Sequence, residues 1–315
     1  MPKHIPLPPE LQHGPFLFQN VRDNPLGAGR LRGPDLARPF RGIRVPPGGS
    51  ATVRPTFLDH CAAYAPLMSD GRCFSHSTAA RLWEAPLPTE FGTNEQLHVS
   101  SVAPQPAPRM AGIVGHQSNR AASTGSLRHG FRTSDAVDTW LSLGALLSRA
   151  ELVSAGDHFV LDPVVLDPLD IRPFTTIDAL TKGLEGFHGR GATSLRWALP
   201  RVREGSESRC ESLLRLLILE GDLPEPALNM PVTDHNGRTL GRGDMVYVQW
   251  RTVVEYDGDQ HRTNKRQYER DIHRLESFRN ASWNVVQVRD RGLFVRCEET
   301  LGRIATALRR GGWAG

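Results

Sequence analysis

The stretch Gly243 to His261, GDMVYVQWRTVVEYDGDQH, decides how the rest of this chain is read. Two runs in it, Met245 to Gln249 and Thr252 to Tyr256, are rich in Val, Tyr and Trp. These residues suit a pleated, half-buried surface, so the pattern predicts two short strands. A reversal about Trp250–Arg251 sets Asp244 across from Asp257, and Val246 across from Glu255. Side chains on a strand alternate faces, so Glu255 and Asp257 share one face, and in that register Asp244 projects from it as well. Three carboxylates then crowd one small area. Like charges in one place raise each other's pKa, and a hard dication such as magnesium, which takes carboxylate oxygens and keeps several waters, is the usual remedy. The turn Gly258-Asp259-Gln260 releases His261 beside the acids, a layout suited to metal-assisted cleavage of a phosphodiester. Two members have ordinary explanations too. Asp257-Gly258 is a common turn dipeptide, and Asp244 stands at a strand entrance. Glu255 does not, because it interrupts an apolar run inside a strand.

Around that stretch, 315 residues leave room for about two domains. The composition, 39% hydrophobic and 23% charged, is that of a soluble globular protein, and no apolar run approaches membrane-spanning length. The first residues, MPKHIPLPPELQ, contain no apolar signal core. Cys61, Cys73, Cys210 and Cys297 are scattered without a CxxC pair, which argues against a zinc site and a disulfide framework and for a cytoplasmic setting. A net charge of +4 is compatible with nucleic acid, but any DNA surface has to be assembled by folding because no polybasic run exists.

Taken in order, residues 1–55 are rich in Pro, Gly and Arg and read as a loosely structured arm packed on the next domain, the alternatives being a short strand with basic flanks over Arg38 to Val45 and an arm that contacts DNA. Residues 56–170 read as a mixed α+β domain. It has helices at Phe57 to Ala65, Ser75 to Trp83, Ser134 to Leu147 (capped by Ser134) and Glu151 to Leu161, and strands at Leu97 to Ser100 and Ile113 to His116. His60, His76, His98, His116 and His158 match no metal spacing and read as ordinary structural or surface histidines. Residues 171–205 read as a helical connector, two short helices around a Gly turn with the layout of a helix-turn-helix. The last domain, 206–315, opens with Ser208 to Glu220, where Ser208 and Glu211 make a capping box and Leu213, Leu214, Leu217 and Ile218 a buried stripe. A strand from Leu228 to Val232, the turn Asp234 to Gly237, the acidic hairpin, a helix from Thr263 to Arg279 burying Tyr268, Ile272 and Leu275, a strand from Trp283 to Val288 and a closing helix from Glu298 to Arg309 follow. The order is helix, three strands, helix, strand, helix.

That order, with Asp244 on one strand and Glu255-Tyr-Asp257 on the next, resembles the PD-(D/E)XK restriction-endonuclease-like fold. Glu255-Tyr-Asp-Gly-Asp-Gln-His261, then Tyr268-xx-Asp271-xx-Arg274 and Trp283-x-Val285, is similar to a group related to very-short-patch-repair endonucleases, over about residues 206 to 312. Residues 57 to about 170 look, more loosely, like the abortive-infection antitoxins. The resemblance implies an αβββαβα core with a mixed central sheet. It implies metal-binding roles for Asp244 and Glu255, with Glu211 the first-helix acid that joins them and Asp257 at the position of the usual lysine. His261 matches a histidine near the scissile phosphate. Ser282 stands where a Gly is usual, and Gln287 where an Arg is common.

The expected activity is therefore that of a DNA endonuclease, a phosphodiester hydrolase using Mg²⁺ or Mn²⁺. His261 would orient or deprotonate water, and Lys265, Arg266 and Arg270 would contact DNA phosphates. The partner is DNA, with no membrane, and a homodimer is compatible with this. The rival expectation is a non-catalytic DNA-binding regulator, an antitoxin-like protein of an abortive-infection or toxin–antitoxin system, in which the nuclease-like domain is structural.

Overall fold

The structure, a computed structural model, describes residues 5–21, 27–47, 55–92, 94–118, 126–258 and 265–315. It divides into two units, 1–146 and 147–315, and its architecture is mixed α+β. Among the described residues no helix is long and apolar enough to cross a membrane, and all four cysteines are free thiols.

The first unit runs β1 (Phe16–Leu17), α1 (Phe18–Val21), α2 (Gly27–Arg30), β2 (Ile43–Arg44), α3 (Phe57–Tyr64), β3 (Arg72–Phe74), α4 (His76–Leu82), β4 (Leu97–Val102), β5 (Ile113–Ser118), β6 (Ser126–Arg128), β7 (Phe131–Thr133) and α5 (Ala136–Leu143). Its main sheet has the order β5-β4-β3-β7-β6, with β4–β5 and β3–β7 parallel. In β4 burial alternates strictly, Leu97 and Val99 inward, as a sheet with one packed face requires. They join Phe40, Ile43, Tyr64, Phe74, Leu82 and Ile113 in one core, where each large apolar side chain contributes about 1.5–3 kcal/mol. α3 starts with a complete capping box between Thr56 and Asp59. α5 starts one residue later than expected: Asp135, not Ser134, accepts the Asp138 N–H at 2.7 Å. The arm packs on the next domain as expected, Phe40 and Ile43 belonging to the main core, but it is not loose: Leu7, Leu11, Phe16, Leu31 and Leu36 form an apolar cluster of their own, and Arg30 pairs with Asp35 at 2.8 Å.

The second unit begins earlier than the sequence reading places a boundary. α6 (Arg149–Val160), expected to close the 56–170 domain, packs instead on α9 (Arg209–Glu220), with α7 (Ile177–Glu185) and α8 (Ala192–Ala198) between them in the chain. This is why α9 is buried on two sides. Leu214 and Ile218 face the sheet, while the fully buried Arg215 faces α6 and pairs with Asp157 at 3.0 Å. Burial pushes the Asp157 carboxyl up to about 6, against the pull of Arg215. The sheet then follows: β8 (Ala227–Thr233), β9 (Thr239–Tyr247), β10 (Thr252–Tyr256), α10 (Lys265–Asn280), β11 (Asn284–Val288), the short α11 (Asp290–Phe294), absent from the sequence reading, and α12 (Cys297–Arg310). Its order is β11-β10-β9-β8, antiparallel except for the parallel β10–β11 pair that α10 connects.

One sheet face packs on α9 and α12 through Met245, Tyr247, Val254, Val286, Ile304 and Leu308. The other packs on α10 through Val246, Val253, Leu275, Phe278 and Trp283. On α10 the expected buried stripe is corrected at Ile272, which is 38% exposed, while Phe278 is fully buried. The turn leaving α10 places Ser282 in the left-handed region, φ +62°, a conformation glycine adopts without strain.

Candidate functional site

The β9–β10 ladder pairs Thr252 with Tyr247, Val253 with Val246 and Val254 with Met245. Continued by one step, it sets Asp244 across from Glu255. The expected register, with Asp257 across from Asp244, is therefore off by two residues. A slip of two keeps every paired side chain on its own side, but the alternation breaks at Asp244: a Cβ on Gly243 would point at Val246 and Val253, on the same side as those two residues. At this point side chains take over from the ladder. Glu255 Oε1 accepts the Asp244 N–H at 3.3 Å, and Asp244 Oδ2 accepts the Tyr256 N–H at 2.8 Å. Gly243 admits this close approach: a Cβ there would lie 2.8 Å from Val253 Cγ1 and 3.3 Å from Glu255 Oε1.

Glu255 is 3% exposed, and its partner is Arg274 on α10, whose Nη2 donates to Oε2 at 2.9 Å. Arg274 also donates to the Arg242 carbonyl at 2.6 Å, which fixes the guanidinium against β9. Burial pushes the Asp244 carboxyl well above the usual range, and the charges of Glu255 and Glu211 push it further. Burial raises Glu255 too, with Arg274 opposing. Among the described residues one guanidinium, that of Arg274, is bonded into this cluster of buried Glu255 and Glu211 and half-buried Asp244, which leaves it short of positive charge.

Glu211 lies near enough to act on Asp244, yet the expected capping box is only half made. Ser208 Oγ accepts the Glu211 N–H at 3.2 Å, but Glu211 Oε2 accepts instead from the Glu207 N–H at 3.0 Å and from Asn229 Nδ2 at 3.2 Å. Burial raises the Glu211 carboxyl. Asn229 stands beside Asp244 in the β8–β9 register, between Leu228↔Met245 and Met230↔Gly243. Its left-handed φ of +48° interrupts the strand's alternation and lets the amide reach α9. The sequence reading missed Asn229, and it named Arg274 only within a motif.

Asp257 is the main correction at the site. It lies one residue past β10, its N–H donates to the Val288 carbonyl at 2.8 Å, and its carboxylate pairs with Arg289 at 2.7 Å. The expected crowd of three carboxylates on one hairpin is two, with Glu211 approaching from α9. His261 and the side chains of Lys265 and Arg266 lie outside the described residues; Arg270 is on α10, exposed. Gln287, adjacent to Glu255 across the parallel pair, accepts from Arg279 Nη2 at 3.2 Å. Beyond it a cavity of about 310 Å³ is lined by Gln287, Arg289, Arg291, Arg296 and Arg303.

Among the described residues, one trio of metal-type donors has all its ligand atoms within 4.8 Å of one another, and it is not acidic: His76, His98 and His116 of the first unit. These three, expected to be unconnected, lie on the start of α4, on β4 and on β5. His98 Nδ1 is 3.0 Å from His116 Nε2, and the His76 and His116 rings stack at 3.6 Å. His76 itself has a left-handed φ of +52°, a conformation that costs a residue with a Cβ about 1–2 kcal/mol. Only the parallel pairing of β4 with β5 reveals the cluster.

No family model matches the chain, and no solved structure matches it. Uncharacterized proteins from two strains of Mycobacterium tuberculosis are 28% identical to it over 99 residues, 31% of this chain and 36% of each relative. The chain thus aligns with about a third of the length of the curated relatives it matches.

Proposed function

We propose that residues 206–315 form a restriction-endonuclease-like domain that hydrolyses DNA phosphodiesters with magnesium or manganese. The observation that carries this reading is the nearness of half-buried Asp244 to buried Glu255, whose Oε1 accepts the Asp244 N–H, with the one guanidinium of Arg274 bonded to Glu255. Two hard-oxygen donors short of positive charge fit a dication of the magnesium class, and Asp244 and Glu255 are the residues that would hold it, with Glu211 nearby. Such an ion, when bound, polarises a phosphoryl oxygen and lowers the pKa of water.

The protein's own part is positioning. Arg274 holds Glu255 Oε2 while the Asp244 N–H holds Oε1, so the carboxylate has one orientation. Arg274 also supplies a cation to the site that Asp257, paired with Arg289, cannot. The arginines beside Gln287 suit phosphate oxygens, which favour guanidinium. His261, from its place in the sequence, accepts a proton from water, and Lys265, Arg266 and Arg270 contact the backbone of the DNA.

A second reading keeps the DNA and drops the chemistry: a DNA-binding regulator, antitoxin-like in its first unit. One observation favours it, the Asp257–Arg289 pair in place of a lysine aimed at the acids. Plasmid nicking in Mg²⁺ or Mn²⁺ against EDTA separates the two. Metal-dependent nicking that disappears in Asp244→Asn supports the nuclease; DNA binding with no cleavage in either metal sinks it.

A further inference from the structure

We infer that His76, His98 and His116 form a binding site for a borderline-soft divalent transition-metal ion of the zinc class. The site belongs to the first unit and does not depend on any activity of the second. All its donor nitrogens lie within 4.8 Å of one another, and the closest pair, His98 Nδ1 and His116 Nε2, are 3.0 Å apart. Two imidazole nitrogens at about 2.0–2.1 Å from one tetrahedral ion are separated by about 3.3 Å, so this pair is already near the spacing an ion imposes.

The donor chemistry selects the ion. Three imidazoles without a carboxylate in the set suit zinc, copper, nickel or cobalt, whereas magnesium demands oxygen. Three nitrogens also leave one tetrahedral position for water or an exogenous ligand.

The surroundings are built for orientation. His76 Nδ1 is 3.0 Å from Ser75 Oγ, which in turn accepts from Ser100 Oγ at 2.7 Å, so the outer nitrogen of His76 is engaged and its Nε2 is left to face the cluster. Metal-binding histidines characteristically have the other ring nitrogen fixed in this way. The backbone supports the same arrangement: the Ser75 N–H donates to the His98 carbonyl at 3.0 Å, and Thr78 Oγ1 accepts the His98 N–H at 2.8 Å. These bonds pin the start of α4 to β4, and the left-handed His76 turns its side chain into the gap.

Electrostatics agrees. Burial first, and then the neighbouring histidines, hold His76 down to about 3 and His116 to about 4, and burial lowers His98. Ring movements are required. An ion lies in the plane of each ring that binds it, whereas the three rings lie within 33° of parallel, His76 stacked on His116 and His98 hydrogen-bonded to His116 nitrogen to nitrogen. His76 and at least one of the other two must turn about the Cβ–Cγ bond, a torsion with a broad minimum.

The test uses the full chain, stripped with a chelator and titrated with Co²⁺ and Zn²⁺. The expected result is one equivalent of Co²⁺ with the visible absorption of a four- or five-coordinate nitrogen site, displaced by Zn²⁺ and not by Mg²⁺. His98→Gln and His116→Gln should each weaken binding by at least about 100-fold and Ser75→Ala by about 10-fold, since loss of a ligand exceeds loss of its supporting hydrogen bond. Asp244→Asn should leave it unchanged. Binding that survives both histidine variants, or that disappears in Asp244→Asn, overturns the assignment. If a histidine variant does not fold, zinc-edge X-ray absorption of the parent protein decides: imidazole scattering supports the site, and an oxygen-only shell sinks it.

Discussion

The acidic site of the second unit and the histidine cluster of the first are both groups of lone pairs held partly out of water, and they solve that problem in opposite ways. Asp244 and Glu255 are carboxylates whose charged form burial disfavours: burial raises both, neighbouring acids (Glu255 and Glu211 at Asp244, Asp271 at Glu255) raise them further, and Arg274 and two backbone N–H groups answer part of the cost. His76, His98 and His116 become neutral instead, which removes the repulsion without any counter-charge. An oxygen cluster that must find a cation and a nitrogen cluster that needs none to be stable select different metals, one hard and one borderline. The difference is thus set by which protonation state is the uncharged one.

The largest expected effect separates the two sites outright. Asp244→Asn or Glu255→Gln should lower Mg²⁺-dependent cleavage by about 10³-fold, the worth of a few kcal/mol of transition-state charge stabilisation, with DNA affinity within a few-fold of the parent and Co²⁺ binding intact. Cobalt binding that fell together with cleavage would merge the two sites into one.

Next comes the counter-charge. Arg274→Ala leaves Glu255 buried without its cation and should cost about 3 kcal/mol at neutral pH, a fall in Tm of roughly 6–12 °C by the usual conversion for this size of unit. Lowering the pH to 5 should recover part of the loss, because Glu255 can then take a proton. A loss that does not change with pH would mean that Arg274 acts through packing on Phe278 and not through charge.

A smaller effect tests the sign of the acid shift. The Asp244 carboxyl is raised in the folded protein, so between its ordinary and its raised pKa the folded state holds a proton that the unfolded state does not. Stability without metal therefore falls as pH rises above about 4 through that window. Asp244→Asn should remove this slope and raise the metal-free Tm at pH 7 by roughly 2–4 °C, for about 1 kcal/mol. Asp157, pushed up to about 6, acts in the same direction in both proteins and cancels in the difference. A variant less stable than the parent at pH 7 would show that the Asp244–Tyr256 hydrogen bond outweighs the desolvation.

The smallest effect concerns the turn after α10. Ser282→Gly relieves a left-handed residue and should stabilise by about 1 kcal/mol, with cleavage and cobalt binding unaltered. A destabilised Ser282→Gly protein would mean the hydroxyl makes a contact worth more than the strain.

Local chemistry carried a good part of this protein into its sequence. The strands on either side of Trp250–Arg251 and the cap at Ser208 follow from neighbours in the chain. Even the expected register, wrong by two residues, keeps each paired side chain of this hairpin on its own side. What the sequence left open was decided by contacts between distant segments. Asp257 turns to Arg289 because β11 runs alongside β10. Glu211 leaves its cap for Asn229 because β8 presents a left-handed asparagine to α9. α6 belongs with α9 because Asp157 needs Arg215 as its partner in a core that admits no lone charge. The three histidines meet only through the parallel pairing of β4 and β5, whose register no local periodicity encodes.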